Sequence, residues 1–142
     1  YHQNSNAQAS CIECPKGYSQ DASSQSTCKP CQVGKQNNQL GQKHCVDCVI
    51  GRFAKTSTLF LCDACPTGWS QANAAQGSCN GCTAGYYQNE QAQNMCKFCP
   101  KGRWSSTLQA TPLSTCLFCA VGQYNDEVAQ IAVSSCVGKQ ML

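Results

Sequence analysis

The chain has 142 residues, of which 15 are cysteine, and ten lysines and arginines against seven acidic residues give it a net charge of +3. So high a cysteine content is typical of disulfide scaffolds in oxidising, extracellular compartments. So small and scattered a charge argues against nucleic acid as a partner, and no apolar run reaches the roughly 20 residues of a membrane helix. We therefore expect a secreted, extracellular or cell-surface protein without a membrane segment.

Polar residues fill the gaps between the cysteines, with 17 Gln, 9 Asn, 14 Ser and 8 Thr. A chain of this composition cannot offset its conformational entropy by burying a large apolar core, so crosslinks must replace that core. No Asn-x-Ser/Thr sequon occurs, so N-linked glycans are not expected. The serines and threonines could carry O-linked glycans. The chain starts at Tyr1 without a signal-peptide pattern, from which we expect a processed or partial chain.

In chain order, a polar leader (residues 1–10) precedes an array of seven tandem repeats (residues 11–136), and residues 137–142 form a C-terminal tail. The repeat begins with Cys-x-x-Cys, and its period is 17 residues for five steps and 20 for the last two. The last Cys-x-x-Cys motif is incomplete: it has Cys136, but Lys139 occupies the position of the second cysteine. The pairs are Cys11/Cys14, Cys28/Cys31, Cys45/Cys48, Cys62/Cys65, Cys79/Cys82, Cys96/Cys99 and Cys116/Cys119.

A glycine follows every pair at the same distance, which predicts a tight turn that needs a positive φ. Six of the seven repeats then have an aromatic residue, and we expect its ring to pack over the local disulfide and supply apolar burial. The turn glycines are Gly17, Gly34, Gly51, Gly68, Gly85, Gly102 and Gly122, and the aromatic residues are Tyr18, Phe53, Trp69, Tyr86, Tyr87, Trp104 and Tyr124.

The polar segments between each aromatic residue and the next cysteine lack helical periodicity, which predicts short strands and loops. Three places are more apolar: Leu59 to Leu61, Leu117 and Phe118 with Val121, and residues 128–133 with Met141 and Leu142 behind them. These residues either form lateral contact surfaces or fill space between neighbouring repeats.

The sequence offers no catalytic group and no sign of a cofactor. His2 and His44 are the only histidines, and neither has a companion carboxylate or thiol arranged as a catalytic pair. A glycine-rich phosphate loop and a nucleophile elbow are also absent from the sequence. We expect a protein that is not an enzyme.

Cys-x-x-Cys-x-x-Gly followed by an aromatic residue resembles the ephrin-receptor-like and tumour-necrosis-factor-receptor-like cysteine-rich repeats, and the resemblance covers residue 11 to about residue 136. It implies a small disulfide-rich, mostly irregular or β fold, an elongated rod of tandem single-hairpin repeats with little or no helix. Tumour-necrosis-factor receptors usually mix two module types, whereas this array repeats one unit, which favours a spacer or polymer. The best examples are Cys11-Ile12-Glu13-Cys14-Pro15-Lys16-Gly17-Tyr18 and Cys96-Lys97-Phe98-Cys99-Pro100-Lys101-Gly102-Arg103-Trp104.

A disulfide within one Cys-x-x-Cys motif is typical of redox-active sites, and we do not expect seven such sites in one secreted chain. Two other registers remain. We prefer the one that joins the second cysteine of each pair to the first of the next, because it explains why Cys136 stands alone and because the resembled single-bridge module closes its loop in this way. Its bonds are Cys14–Cys28, Cys31–Cys45, Cys48–Cys62, Cys65–Cys79, Cys82–Cys96, Cys99–Cys116 and Cys119–Cys136.

The preferred register leaves Cys11 unpaired or intermolecular. The rival register joins first to first and second to second cysteines, for example Cys11 to Cys28 and Cys14 to Cys31, and it leaves Cys119 without a partner. Each bond of the preferred register closes a ring of about 15 residues, which contributes on the order of 3 kcal/mol through loop entropy.

Zinc is a remote alternative, because Cys-x2-Cys-x13-Cys-x2-Cys lies near the spacing of zinc ribbons. Sites with four cysteine ligands would leave three of the fifteen cysteines without a metal ion, so we expect no metal. The expected function is that of a non-enzymatic subunit of a filament, appendage or surface coat, which self-associates or binds other extracellular structural proteins. The alternative is a receptor or adhesion ectodomain that binds a protein ligand.

Overall fold

The structure is a computed structural model, and it describes residues 13–22 and 27–138. The leader, Cys11, His2, Lys139 and the pair Met141 and Leu142 lie outside the described residues. Within the described ranges, no helix is long or apolar enough to cross a membrane.

The described residues form seven antiparallel hairpins, each built from two strands of two residues. Consecutive strands pair, so that β1 pairs with β2 and β13 with β14. The strands are β1 (Tyr18–Ser19), β2 (Lys29–Pro30), β3 (Lys35–Gln36), β4 (Val46–Asp47), β5 (Arg52–Phe53), β6 (Asp63–Ala64), β7 (Trp69–Ser70), β8 (Asn80–Gly81), β9 (Tyr86–Tyr87), β10 (Lys97–Phe98), β11 (Arg103–Trp104), β12 (Leu117–Phe118), β13 (Gln123–Tyr124) and β14 (Val137–Gly138).

Each hairpin starts at the turn that its glycine makes. In the first hairpin Gly17 has a φ of +83°, and the amide of Tyr18 donates to the carbonyl of Pro15 at 3.1 Å, as in a type II turn. The amide of Cys31 then donates to the carbonyl of Gly17 at 2.8 Å and closes the hairpin. We call the hairpins modules 1 to 7, in chain order, each with its turn, its loop and the disulfide at its base.

The core consists of cystine, small residues and amides instead of aromatic rings. Ala54 is fully buried and Gln88 is 1% exposed, whereas Tyr124 is 44% exposed. The other aromatic residues that follow the turn glycines are half-buried, so the rings supply part of the apolar burial but none of the fully buried positions, and their packing over the disulfides stays a prediction. A strand of two residues gives a ring few neighbours to pack against, so sulfur takes the interior positions.

The two 20-residue repeats accommodate their extra length in one place. A 3-10 turn precedes the closing cysteine in modules 6 and 7, at Leu113–Thr115 and at Val133–Ser135. The amide of Cys116 donates to the carbonyl of Leu113 at 3.0 Å, and the amide of Cys136 does the same to Val133. These turns are the helical content of the described residues, so the predicted small, disulfide-rich, mostly irregular or β fold with little helix is confirmed.

Candidate assembly surface

The disulfides of the structure lie at the bases of the hairpins and have the partners of the preferred register. Their Cα–Cα distances of 5.5–5.8 Å are ordinary for a disulfide. The second cysteines from Cys14 to Cys99 are at most 2% exposed, which places the sulfur in the centre of the array. Among the described residues, no three His, Cys, Asp or Glu side chains are grouped as a metal site would need.

Three hydrogen bonds between backbone groups join each module to the next. At the first junction the amide of Gly17 donates to the carbonyl of Asn37 at 2.8 Å. The amide of Gln20 donates to the carbonyl of Gln42 at 3.0 Å, and the amide of Gly41 donates back to the carbonyl of Cys14 at 2.9 Å. Because these bonds use only the backbone, the side chains can vary from repeat to repeat without changing the junction.

The same three bonds occur at all six junctions, with donor–acceptor distances of 2.7–3.3 Å. The array is therefore a continuous stack and not a string of separate hairpins. At the other five junctions the donor and acceptor residues are Gly34 with Ala54, Asn37 with Leu59 and Thr58 with Cys31; Gly51 with Gln71, Ala54 with Gln76 and Ala75 with Cys48; Gly68 with Gln88, Gln71 with Gln93 and Ala92 with Cys65; Gly85 with Ser105, Gln88 with Ala110 and Gln109 with Cys82; and Gly102 with Asn125, Ser105 with Gln130 and Ala129 with Cys99.

A second set of contacts joins modules that are two apart. The carbonyl oxygen of Thr58, in module 3, lies 2.1 Å from where a β-carbon on Gly17 would be. A β-carbon on Gly85 would likewise lie 2.3 Å from the carbonyl oxygen of Ala129. Each covering residue has a positive φ itself, 69° at Thr58 and 58° at Ala129. The turn glycines of modules 1 to 5 are thus needed twice, for their φ and for this close approach.

Buried amides support the loops from inside, and the sequence analysis missed them. The side chain of Gln88 donates to the carbonyl of Met95 at 2.7 Å and accepts from the amide of Glu90 at 3.1 Å. Asn37 likewise accepts from the amide of Gln39 at 3.1 Å, but it donates to the carbonyl of Tyr18 in the preceding module, at 2.6 Å. A sequence signal does exist: the residue three places after each turn glycine is an amide, serine or alanine, namely Gln20, Asn37, Ala54, Gln71, Gln88, Ser105 and Asn125.

Charged side chains of the described residues lie on the surface. Lys35 pairs with Asp47, its partner across the strands of module 2, and both side chains are exposed. Exposed pairs of this kind contribute at most about 1 kcal/mol each. The guanidinium of Arg103 lies 3.8 Å from the ring centre of Phe118. The charged side chains therefore lie on the surface of the hairpins and contribute little to the stability of the stack.

An open, mostly apolar depression lies beside module 5. Tyr86, Met95 and Phe98 line it, and the last two are 65% and 54% exposed. Three exposed or half-exposed apolar side chains in one depression form a contact surface rather than a closed ligand cavity.

The fold and its junctions define a class of protein, the disulfide-rich tandem-repeat array. Residues 70–112 match the family described as tyrosine-protein kinase ephrin type A/B receptor-like. The chain has no match among curated proteins. The family match and the tandem array of disulfide-bonded hairpins together support a cysteine-rich, ephrin-receptor-like repeat array. Such repeats are typically non-catalytic extracellular modules, and the many disulfides fit an extracellular location.

Proposed function

We propose that this chain is a non-enzymatic structural protein, a subunit of an extracellular filament, appendage or surface coat. The observation that supports this most is the repetition of one backbone hydrogen-bond pattern at all six junctions. A surface tuned for one ligand needs modules that differ in geometry, whereas a spacer needs modules that are alike. Uniform stacking therefore favours the structural role.

The proposed organisation is a leader at residues 1–10, the repeats at 11–136 and a tail at 137–142. In this proposal the disulfide cysteines and turn glycines form the scaffold, and Cys11 is the unpaired or intermolecular cysteine. The proposed partners are further copies of the chain or other extracellular structural proteins, with O-linked glycans on the surface and no metal in the scaffold.

Electron microscopy of the purified chain, with sedimentation over a range of concentrations, tests the proposal. We expect ordered polymers or lateral bundles whose abundance rises with concentration. A monodisperse monomer that binds a soluble protein with a nanomolar Kd would contradict the structural role and favour a receptor.

The second candidate is a receptor or adhesion ectodomain that binds a protein ligand. The apolar depression at Tyr86, Met95 and Phe98 favours it, because exposed aromatic and methionine side chains are enriched in protein interfaces. The two candidates differ in what replacing Met95 and Phe98 by serine would do. Loss of binding to a different protein supports the receptor role, and loss of assembly of the chain with itself supports the structural role.

A further inference from the structure

A groove lies between the hairpins of modules 1 and 2. It is open to solvent and has a volume of about 440 Å³, which is in the range of sites for small ligands. Within it the sulfur of Cys45 lies 3.4 Å from the hydroxyl oxygen of Ser19, so residues of both modules form it. We call it the first groove.

The same groove recurs inside the stack, between modules 4 and 5, as the apolar depression described above. Nine of its ten lining residues are equivalents of those of the first groove, 51 positions further along the chain, which is three repeats of 17. The sulfur of Cys96 there lies 3.4 Å from the hydroxyl oxygen of Ser70. Described modules flank this second groove on both sides, and it is open all the same. The opening is therefore a property of the stacked hairpins and does not depend on where the array begins or ends.

The two grooves differ in charge because their side chains vary from repeat to repeat. Three lysines and one aspartate line the first groove, which gives it a net charge of +2 with His44 counted as neutral, whereas no charged side chain of the described residues lines the second. The first groove therefore favours an anionic ligand. Its charged residues are Lys29, Lys35, Lys43 and Asp21.

The two grooves also differ in apolar character. Tyr86, Met95 and Phe98 line the second groove, whereas the first has no Leu, Ile, Val, Met, Phe, Tyr or Trp among its described lining residues. The buried centre of a protein interface is enriched in aromatic and methionine side chains. The first groove lacks such anchors, so it suits a polar ligand better than the surface of another protein.

The lysines of the first groove have ammonium groups to offer to an anion. Lys29 lies 3.5 Å from Asp21, and Lys35 pairs with Asp47, but both pairs are exposed and contribute at most about 1 kcal/mol each. Lys43 is exposed and forms no ion pair with a described residue. An anion in the groove therefore meets one ammonium group that no described carboxylate neutralises and two that are held only weakly.

We propose that the first groove binds an anionic sugar unit of an acidic extracellular polysaccharide, through its sulfate or carboxylate group. Lysine ammonium groups bind such groups as point charges with three donors each. The hydroxyl of Ser19 and the amide of Gln32, which also line the groove, are suitable partners for sugar hydroxyls. An open groove accepts a sugar in the middle of a long chain, which a closed pocket does not. This inference goes beyond the proposed structural role and does not require that the protein polymerise.

The double substitution Lys29→Asn/Lys43→Asn tests the site. Asn80 and Asn94 occupy the equivalent positions in modules 4 and 5, so the same fold already accommodates asparagine at both places. The loss of two positive charges should weaken binding of the anion without disturbing the hairpins, which circular dichroism checks.

The matched control is Lys16→Thr/Lys101→Thr. It removes the same two charges from exposed turn positions that do not line the first groove. Thr67 occupies the equivalent position in module 4, so this substitution is also one that the fold accommodates. The control separates binding in the groove from attraction by the net charge of the chain.

Binding is measured by NMR titration at a salt concentration of about 0.15 M, at which charges more than about 8 Å apart are largely screened. The probes are a heparin hexasaccharide, which carries sulfate groups, an oligogalacturonate of the same length, which carries only carboxylates, and uncharged maltohexaose. We expect the unchanged chain and the control to bind at least one of the two acidic sugars, and the sugar that binds more tightly identifies the anionic group. The Lys29→Asn/Lys43→Asn variant should bind it at least about tenfold more weakly, and maltohexaose should not bind.

Several results would overturn the inference. If the groove variant binds like the unchanged chain, or if the control loses as much affinity, the groove is not the site. If the unchanged chain binds neither acidic sugar, or binds maltohexaose equally well, the ligand is not an acidic polysaccharide. An oligoglutamate of six residues that binds more tightly than both sugars would indicate a protein partner instead. None of these results bears on assembly, which sedimentation measures separately, so the structural role can fail or stand independently.

Discussion

The carbonyl oxygen of Thr58 lies 2.1 Å from the position of a β-carbon on Gly17, across 41 residues of sequence and from the third module to the first. In most repeat proteins each repeat contacts only its neighbours, and stability is a sum of repeat terms and adjacent interface terms. Here a module also contacts the one after its neighbour. Disruption of an internal module should therefore weaken contacts on both sides of it and over a longer range.

The first prediction compares two glycines of the same conformation. Gly85→Ala and Gly122→Ala both place a β-carbon at a φ near +80°, which costs about 1–2 kcal/mol in each. Of the two, only the Gly85 variant meets a backbone atom of a described residue, the carbonyl oxygen of Ala129, so it should lose on the order of 2 kcal/mol more. Urea unfolding with the disulfides intact measures the difference. Equal losses in the two variants would show that modules two apart do not touch in solution.

The second prediction concerns a buried amide. Gln88→Ala should lower the free energy of unfolding by about 2 kcal/mol, because it leaves the carbonyl of Met95 and the amide of Glu90 without their partner. Gln91→Ala, at an exposed position three residues away, should change it by less than about 0.5 kcal/mol. Similar effects in both would mean that the loop does not depend on the buried side chain.

The third prediction is a disulfide map. Proteolysis without reduction, followed by mass spectrometry, should recover peptides that join Cys14 to Cys28 and Cys119 to Cys136. It should find Cys11 either free or bonded to another chain. A peptide that joins Cys11 to Cys28 would remove the register and, with it, the proposed linkage through Cys11.

The fourth prediction separates sulfur bridges from metal. Reductant should abolish the ordered structure, because each bridge closes a loop that would otherwise cost about 3 kcal/mol of chain entropy and the core has little else to replace it. A strong chelator should leave the circular dichroism spectrum unchanged. Stoichiometric zinc in elemental analysis, with most thiols free, would contradict the bridged scaffold.

The sequence predicts the local parts of this fold well. The distance from Cys14 to Gly17 and the following aromatic residue suffice for a turn and a short hairpin, since both form within a few residues. The contact between Thr58 and Gly17 could not be predicted in this way. The residues that make it share only a backbone conformation and have no common side chain, being Thr58, Ala75, Ala92, Gln109 and Ala129.

The candidate surface was predicted in part. The positive φ of the turn glycines follows from the sequence, but only the stack shows that carbonyls from modules two further on cover the turn glycines of modules 1 to 5. The interior amides such as Gln88 were overlooked because glutamine and asparagine also fill the exposed loops. Their recurrence three residues after five of the seven turn glycines would have distinguished them.

The disulfide at the base of each hairpin also determines how the chain responds to tension. A pulling force that reaches Cys14 crosses directly to Cys28, over a Cα–Cα distance of 5.6 Å, and then follows Lys29 and Pro30 to Cys31. The loop between the bridged cysteines carries no load, so each repeat can lengthen only to about 16 Å, against about 60 Å for a free chain of the same length. Intact bridges therefore limit how far the array can extend in an oxidising medium, and reduction of each bridge releases about 40 Å of chain length.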